Sequence, residues 1–212
     1  MRRLILVRHG ESEANVIGSL HCQVPGPPLT DRGHEQAEAL VAALASEDVR
    51  AVYASTMTRA SQTAGPLAAA LGLDLRIRDG LREADLGELH DRHDTEAHAL
   101  FDDVFAGWAL DADLTLRCAG GESAEEIVDR VAKVLAEAAG SLPEDGGTAV
   151  VVGHGAAFRL VLLALCGVDP AFALRHHLPN TGLAVLDVVP DGYACRSWGG
   201  LAPEFPVTHS GE

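Results

Sequence analysis

"LILVRHGESEAN", residues 4–15, runs four aliphatic residues straight into a cation, an imidazole and a glycine. Leu4 to Val7 is a continuous apolar run, the pattern of a strand buried on both faces. In parallel α/β sheets ligands collect beyond the carboxyl ends of the strands, where Arg8, His9 and Gly10 stand. Gly10 permits a sharp turn and a close approach of backbone to ligand. Arg8 offers a planar cation suited to an oxyanion, and His9 a nitrogen that can attack or carry a proton near neutral pH. "TAVVVGHG", residues 148–155, repeats the arrangement, with His154 between Gly153 and Gly155 after a second apolar run. Two His-Gly steps after two strands point to one anion site that can also do chemistry. Competing motifs fail on single residues. Phe158 occupies the third glycine position of a dinucleotide fingerprint, no serine stands between the glycines of "GHG" as a nucleophile elbow requires, and no G-x-x-x-x-G-K-[ST] occurs.

Outward from these two stretches, strands alternate with helices. "VRAVYAS" (49–55), "LDLRIR" (73–78), "LAVLDVV" (183–189) and "YACRSW" (193–198) read as further strands. "LTDRGHEQAEALVAALASE" (29–47) is helical behind a Thr30 N-cap, "TMTRASQTAGPLAAALG" (56–72) is a helix that Pro66 should bend or split, and "GESAEEIVDRVAKVLAEAAG" (121–140) and "AAFRLVLLALCG" (156–167) complete the helices. From Leu81 to Gly121 the pattern becomes polar, which predicts an excursion from the core, part loop and part helix. The expected fold is α/β: three layers, α/β/α, with a mostly parallel central sheet and a small, partly helical insertion. Residues 1–200 should form one domain with its insertion at about 81–121, and 201–212 a loosely held tail.

Composition narrows the partners. The chain has 212 residues, enough to bury roughly 70% of its unfolded surface without staples. Acidic residues outnumber basic ones, 31 to 16, for a formal charge of −15. That argues against nucleic acid and against an anionic membrane, both of which need a basic face. An anionic substrate would then need a local positive pocket inside a repelling field. The four cysteines, Cys22, Cys118, Cys166 and Cys195, form no C-x-x-C pair and read as reduced thiols. The run after Met1-Arg2-Arg3 is too short for a signal peptide, and no stretch reaches membrane-span length. A cytoplasmic location follows as the expectation. No helix carries an obvious dimer stripe, and a homodimer is left open.

At this point the sequence resembles the histidine phosphatase superfamily, also called the phosphoglycerate mutase-like family, on its phosphatase branch. The carrying residues are "VRHGESEAN" around Arg8-His9-Gly10, "ASTMTRASQTA" around Arg59, "LREADLGEL" around Glu83, "GGES" at 120–123 and "VVGHG" around His154, over roughly residues 3–190. The resemblance implies a phosphomonoester hydrolase with His9 as nucleophile, forming a phosphohistidine on a small phosphorylated metabolite. It implies that Arg8, Arg59 and His154 bind the phosphoryl group, that Glu83 protonates the leaving oxygen, and that Asn15 adds a side-chain contact. Gly155 and Gln23 complete the expected substrate contacts. No metal or other cofactor is expected, because guanidiniums can meet the three equatorial oxygens of a phosphoryl group in transfer.

The departures from the family pattern fall around the rest of the substrate: "GELHDRH" after the acid, "HCQVPGPPLT" in the loop after Asn15, and "GHGAAFR" at the second histidine. Between Leu81 and Gly121 only Arg82, Arg92 and Arg117 face ten carboxylates. A mutase-type phosphotransferase needs a second anion pocket, so hydrolysis is favoured, on a substrate with one phosphate and a polar, uncharged or cationic body. A phospho-ligand binding module without catalysis is the other alternative. His90, His93 and His98, with Asp91 and Asp94, invite a metal, but without cysteine or H-E-x-x-H they read as a polar surface near the site's mouth. His176-His177 reads as a surface loop.

Overall fold

The structure is a computed structural model and describes residues 1–205. Six strands form one sheet: β1 (Arg2–Arg8), β2 (Val49–Ser55), β3 (Leu75–Arg78), β4 (Gly147–Gly153), β5 (Leu183–Val189) and β6 (Gly192–Trp198). Their order is β3-β2-β4-β1-β5-β6. The first four run parallel, and β5 and β6 pair antiparallel on the β1 side. The seven α-helices among the described residues are α1 (Glu13–Ile17), α2 (Asp31–Ala43), α3 (Thr58–Leu71), α4 (Thr95–Leu110), α5 (Ala124–Gly140), α6 (Gly155–Cys166) and α7 (Pro170–Arg175).

Alternation along the central strands divides the core in two. Leu4, Leu6, Ala149 and Val151 face one side with Ile127, Val131, Phe158 and Leu162 of α5 and α6. Ile5, Val7, Val150 and Val152 face the other with Leu40 of α2 and Ala60, Ala64 and Leu67 of α3. This is the expected three-layer arrangement, and both faces of β1 and β4 are dry because helices cover both. Among the described residues no helix is long and apolar enough to cross a membrane, and all four cysteines are unpaired.

Two expectations need correction. Pro66 does not split its helix: it lies inside α3, which runs through it as one helix. The segment 81–121 is not an excursion. Ala97, Phe101, Phe105 and Trp108 recur at helical spacing along α4, join the larger core, and leave the acids on the outer face. Trp108 Nε1 then donates to the Leu116 carbonyl at 2.7 Å, tying down the following loop. The chain around the start of the expected tail is tied back by hydrogen bonds. Gly199 N donates to the Leu183 carbonyl at 2.7 Å, and the Glu204 carbonyl accepts from Asp169 N at 2.8 Å. The rest of the expected tail, 206–212, lies outside the described residues.

Parallel order places the carboxyl ends of β1, β2, β3 and β4 along one edge of the sheet, and the start of β5 returns to that same edge. Everything that follows is built there.

Candidate active site

Arg8 ends β1 and His9 follows it. Gly10 N donates to Thr63 Oγ1 of α3 at 2.9 Å. A Cβ on Gly10 would stand 2.7 Å from the Gly33 carbonyl oxygen of α2, so only glycine lets the chain pass between β1 and α2 there. His9 is 3% exposed. Its Nδ1 lies 2.7 Å from the Gly10 carbonyl, which can only accept, so the proton sits on Nδ1. Nε2 is thereby left with a lone pair, and Arg59 Nε donates to it at 3.0 Å. Arg59 comes from the first turn of α3, directly after β2, and is anchored by Nη2 donating to the His21 carbonyl at 3.0 Å.

His154, the N-cap of α6, is fully buried, with its ring centroid 5.2 Å from that of His9. Ser55, the last residue of β2, accepts from Met57 N and lies 2.9 Å from His154 Nε2. The other ring nitrogen of His154, Nδ1, has no partner among the described residues. Arg8 is held by Nη1 donating to the Leu178 carbonyl at 2.7 Å.

The electrostatics follow from burial and from the two guanidiniums. Burial, then Arg59 and Arg8, push His9 well below the usual imidazole range. Burial and Arg59 do the same to His154. Burial pulls Arg59 down only to about 10, so it stays charged at neutral pH. The unsatisfied atoms are the clearest feature. Five buried side-chain nitrogens lack a partner among the described residues, and Arg8 Nε, His21 Nδ1, Arg59 Nη1 and His154 Nδ1 are four of them. Each such group costs roughly 1–3 kcal/mol. Their concentration at one strand edge marks a place built for a multivalent hydrogen-bond acceptor.

Glu83 reaches the site from the loop after β3. Its carboxylate accepts from Ala84 N (2.9 Å), Ala156 N (3.2 Å) and Ala157 N (2.9 Å), the last two in the first turn of α6. Arg130 of α5 steadies that loop by donating to the carbonyls of Gly80, Arg82 and Glu83. Glu122 of "GGES" pairs with Arg130 and accepts from Asp85 N. The "GGES" stretch thus braces the acid from behind.

The pocket has a volume of about 270 Å³. Arg8, His9, Asn15, Arg59, Glu83 and Gly155 line it. His154 does not line it but stands beside His9. Asn15 Oδ1 accepts from Ser12 N, Ser12 Oγ and Asn180 Nδ2, which leaves its own amide donor toward the pocket. Gln23 is exposed and lies outside the pocket; His21, two residues earlier, lines it instead. Of the three histidines read as a polar surface near the site's mouth, His90 is turned to Cys22 N, His98 lines the pocket with its Nε2 on the Gly18 carbonyl, and His93 is exposed. Among the described residues no group of three or more His, Cys, Asp or Glu could hold a metal ion.

Sequence reasoning passed over Arg159, His177 and Asn180. Arg159 of α6 and His177 both line the pocket, so His177 is not merely a surface-loop residue. Asn180 Nδ2 donates to the His9 carbonyl at 3.0 Å. The available signal was topological. Because β5 runs antiparallel beside β1, residues 176–182 must arrive at the end of the sheet where β1 finishes.

An imidazole with its lone pair on Nε2, the buried Arg59 and half-buried Arg8 guanidiniums, an unpartnered imidazole nitrogen and a braced carboxylate around one pocket are groups of the kind that phosphoryl transfer uses. Comparison with known proteins points the same way. The family model of the histidine phosphatase superfamily (branch 1) matches residues 4–200. A relative from Enterobacter sp. (strain 638) named "Probable phosphoglycerate mutase" is 31% identical over 202 residues, covering 93% of this chain and 90% of its own. The structure of a mycobacterial glucosyl-3-phosphoglycerate phosphatase complexed with VO3 is 28% identical, covers 95% of this chain and 100% of that one, and superposes with a TM-score of 0.78. An alpha-ribazole phosphatase from Shigella flexneri is 26% identical, with coverages of 93% and 96% and a TM-score of 0.72.

Proposed function

The chain belongs to the histidine phosphatase superfamily (branch 1), and from that premise we propose that it hydrolyses a small phosphate monoester through a phosphohistidine on His9. The observation that carries this is the convergence of unpartnered nitrogens, Arg8 Nε, Arg59 Nη1 and His154 Nδ1, around the His9 ring. The guanidinium N–H groups fit the charge that spreads over the equatorial oxygens of a phosphoryl group, and His154 joins them with its proton on Nδ1. With its proton fixed on Nδ1, His9 attacks phosphorus through Nε2, displacing the Arg59 Nε–H, which turns to the incoming oxygens. The bond from phosphorus to the ester oxygen breaks, and Glu83 gives its proton to that oxygen, releasing the alcohol. Water then attacks the phosphohistidine, Glu83 takes up the proton, and the N–P bond breaks to free His9 and inorganic phosphate. The guanidiniums supply the positive charge that a metal supplies in other phosphatases.

Hydrolysis is favoured over mutase-type transfer by the state of the insertion's cations. Arg82 pairs with Asp79 and Glu122, Arg92 with Asp94 and Glu96, and Arg117 with Glu126. None of them is left to retain a second phosphate. The named substrates of the relatives differ from one another, so they support the reaction class and not one compound. Unpaired thiols and the absence of a long apolar helix among the described residues agree with a cytoplasmic setting.

The test is to trap the intermediate. Rapid quenching during turnover of p-nitrophenyl phosphate in chelator should yield an acid-labile, alkali-stable phosphoprotein, absent in His9→Ala. A His9→Ala enzyme that retained most of the turnover would refute the assignment.

A further inference from the structure

Ten of the chain's 15 arginines have a carboxylate within 4.0 Å among the described residues. The five that do not are Arg2, Arg8, Arg59, Arg76 and Arg159. Three of those five, Arg8, Arg59 and Arg159, line the same pocket. In a chain of charge −15, a buried guanidinium that escapes every carboxylate is a costly exception. Arg8 and Arg59 are accounted for by the phosphoryl group. Arg159 is not.

Arg159 is 5% exposed and is held from three sides. Its Nε donates to the Ala173 carbonyl of α7 at 3.2 Å. Its Nη1 lies 3.2 Å from His177 Nδ1, which must therefore accept. Its guanidinium carbon lies 4.0 Å from the centre of the Phe105 ring of α4. Nη2 has no protein partner among the described residues. Burial lowers the group only to about 10, so it remains a cation at neutral pH, and His177, pushed down by burial and by Arg159 itself, stays neutral beside it.

Its place along the pocket is set by α6. A Cβ on Gly155, the first residue of that helix, would stand 3.3 Å from Arg8 Nε, and Glu83 accepts from the next residue's N–H; Arg159 lies one helical turn further on, where Phe101, Asp102 and His177 complete the lining. That is the side where the ester's alcohol half sits if Glu83 protonates the leaving oxygen. One guanidinium with Asp102 and Glu83 nearby suits a single negative charge. A second phosphate dianion would meet too little positive charge there.

We propose that Arg159, oriented by His177, is a carboxylate site, and that the preferred substrates are phosphate monoesters whose alcohol half carries one carboxylate. The inference rests on the phosphomonoesterase assignment above. It replaces the uncharged or cationic body that the acidic composition had suggested.

The test uses phosphate esters of ω-hydroxy acids with two to four carbons, each paired with its primary amide of the same length. In the wild-type enzyme kcat/KM for the acid should exceed that for the amide by about tenfold or more at the best chain length. In Arg159→Met that ratio should fall to about 1. In Arg159→Lys, which keeps a cation over Phe105 but loses the fork, it should fall by at least about threefold. Using a ratio removes any general loss from imperfect folding, and the wild-type comparison needs no variant at all. A wild-type ratio under about 2 at every length, or a ratio that survives Arg159→Met, overturns the carboxylate site. If the wild-type enzyme hydrolyses none of the esters, the phosphatase assignment fails on its own. Calorimetric titration with the same acids and amides then decides the carboxylate site by the same preference and its loss.

Discussion

The two ends of the pocket are made differently. At the inner end Arg8, His9, Ser55 and His154 sit on or next to the last residues of parallel strands, and Arg59 opens the helix that follows one. Their positions are fixed by the sheet register, in which Arg8 stands opposite Gly153. At the outer end Phe101 and Asp102 come from α4, Arg159 from the middle of α6, and His177 from the chain after α7. No sheet register sets their spacing, only helix packing. Chemistry that tolerates little misplacement is held by the stiffest part of the molecule. The part that distinguishes one alcohol from another is held by helices whose surfaces can be rebuilt without disturbing the strands.

The largest effect should come from the inner end. Arg59→Met removes the donor on His9 Nε2 together with an unpartnered Nη1, and kcat should drop about 10²- to 10³-fold. The loss should be equal for acid and amide esters, in contrast to Arg159→Met, whose effect should depend on the carboxylate. Steady-state kinetics on the paired esters reads both. An Arg59→Met loss confined to one member of a pair would erase the division between the two ends.

Glu83 stands at the border between them, and its contribution should depend on the leaving group. For an alkyl phosphate, Glu83→Gln should slow kcat about 10²-fold, because a poor leaving alkoxide needs the proton. For p-nitrophenyl phosphate, whose leaving group needs none, the loss should be under about tenfold. Equal losses on both would show that Glu83 positions α6 through Ala156 N and Ala157 N and does not transfer a proton.

The inner end should also be visible in stability. His9 and His154 have native pKa values well below 6.5, from burial first and from Arg59 next. Below pH 6.5 the unfolded chain therefore binds protons at these two positions that the native chain does not. Stability is full above that pH and is lost as pH falls, by about 1.4 kcal/mol for each histidine at pH 5.5. Urea denaturation at pH 7.5 and 5.5 should show this loss, and His9→Gln should lack its share. His177, whose pKa is lowered by burial and then by Arg159 and Arg8 at a residue that is exposed overall, should contribute less. A wild-type stability unchanged across this range would mean that these imidazoles are not held neutral.

This contrast also governs what the sequence could reveal. Arg8, His9 and His154 were legible because a strand followed by His-Gly is a local pattern, and the apolar runs of β1 and β4 announced the buried strands beneath them. Arg59 and Glu83 were found only through the resemblance, since one arginine in a helix and one acid among 31 carry no local mark. The helix α4 was obscured because acids on its outer face dominate the composition, although Ala97, Phe101, Phe105 and Trp108 keep a helical period. Arg159 and His177 could not be read locally at all. Their meeting needs α6 and α7 to pack and β5 to reverse, and none of those events leaves a short motif.

The smallest effect separates two neighbours in the loop after Asn15. Local order suggested Gln23 as the residue touching substrate, yet its side chain is exposed and outside the pocket. His21 lines the pocket with a buried, unpartnered Nδ1, and its carbonyl anchors Arg59. Gln23→Ala should therefore change kcat/KM by less than about twofold. His21→Ala keeps the backbone carbonyl that holds Arg59 and removes only the ring, so the loss should be about three- to tenfold, one hydrogen bond's worth. Because His21 stands beside Arg59, whose Nη2 its carbonyl holds, that loss should appear equally on acid and amide esters. A larger effect at Gln23 than at His21 would mean that the loop folds over bound substrate, and that the outer end includes residues from both sides of the sheet edge.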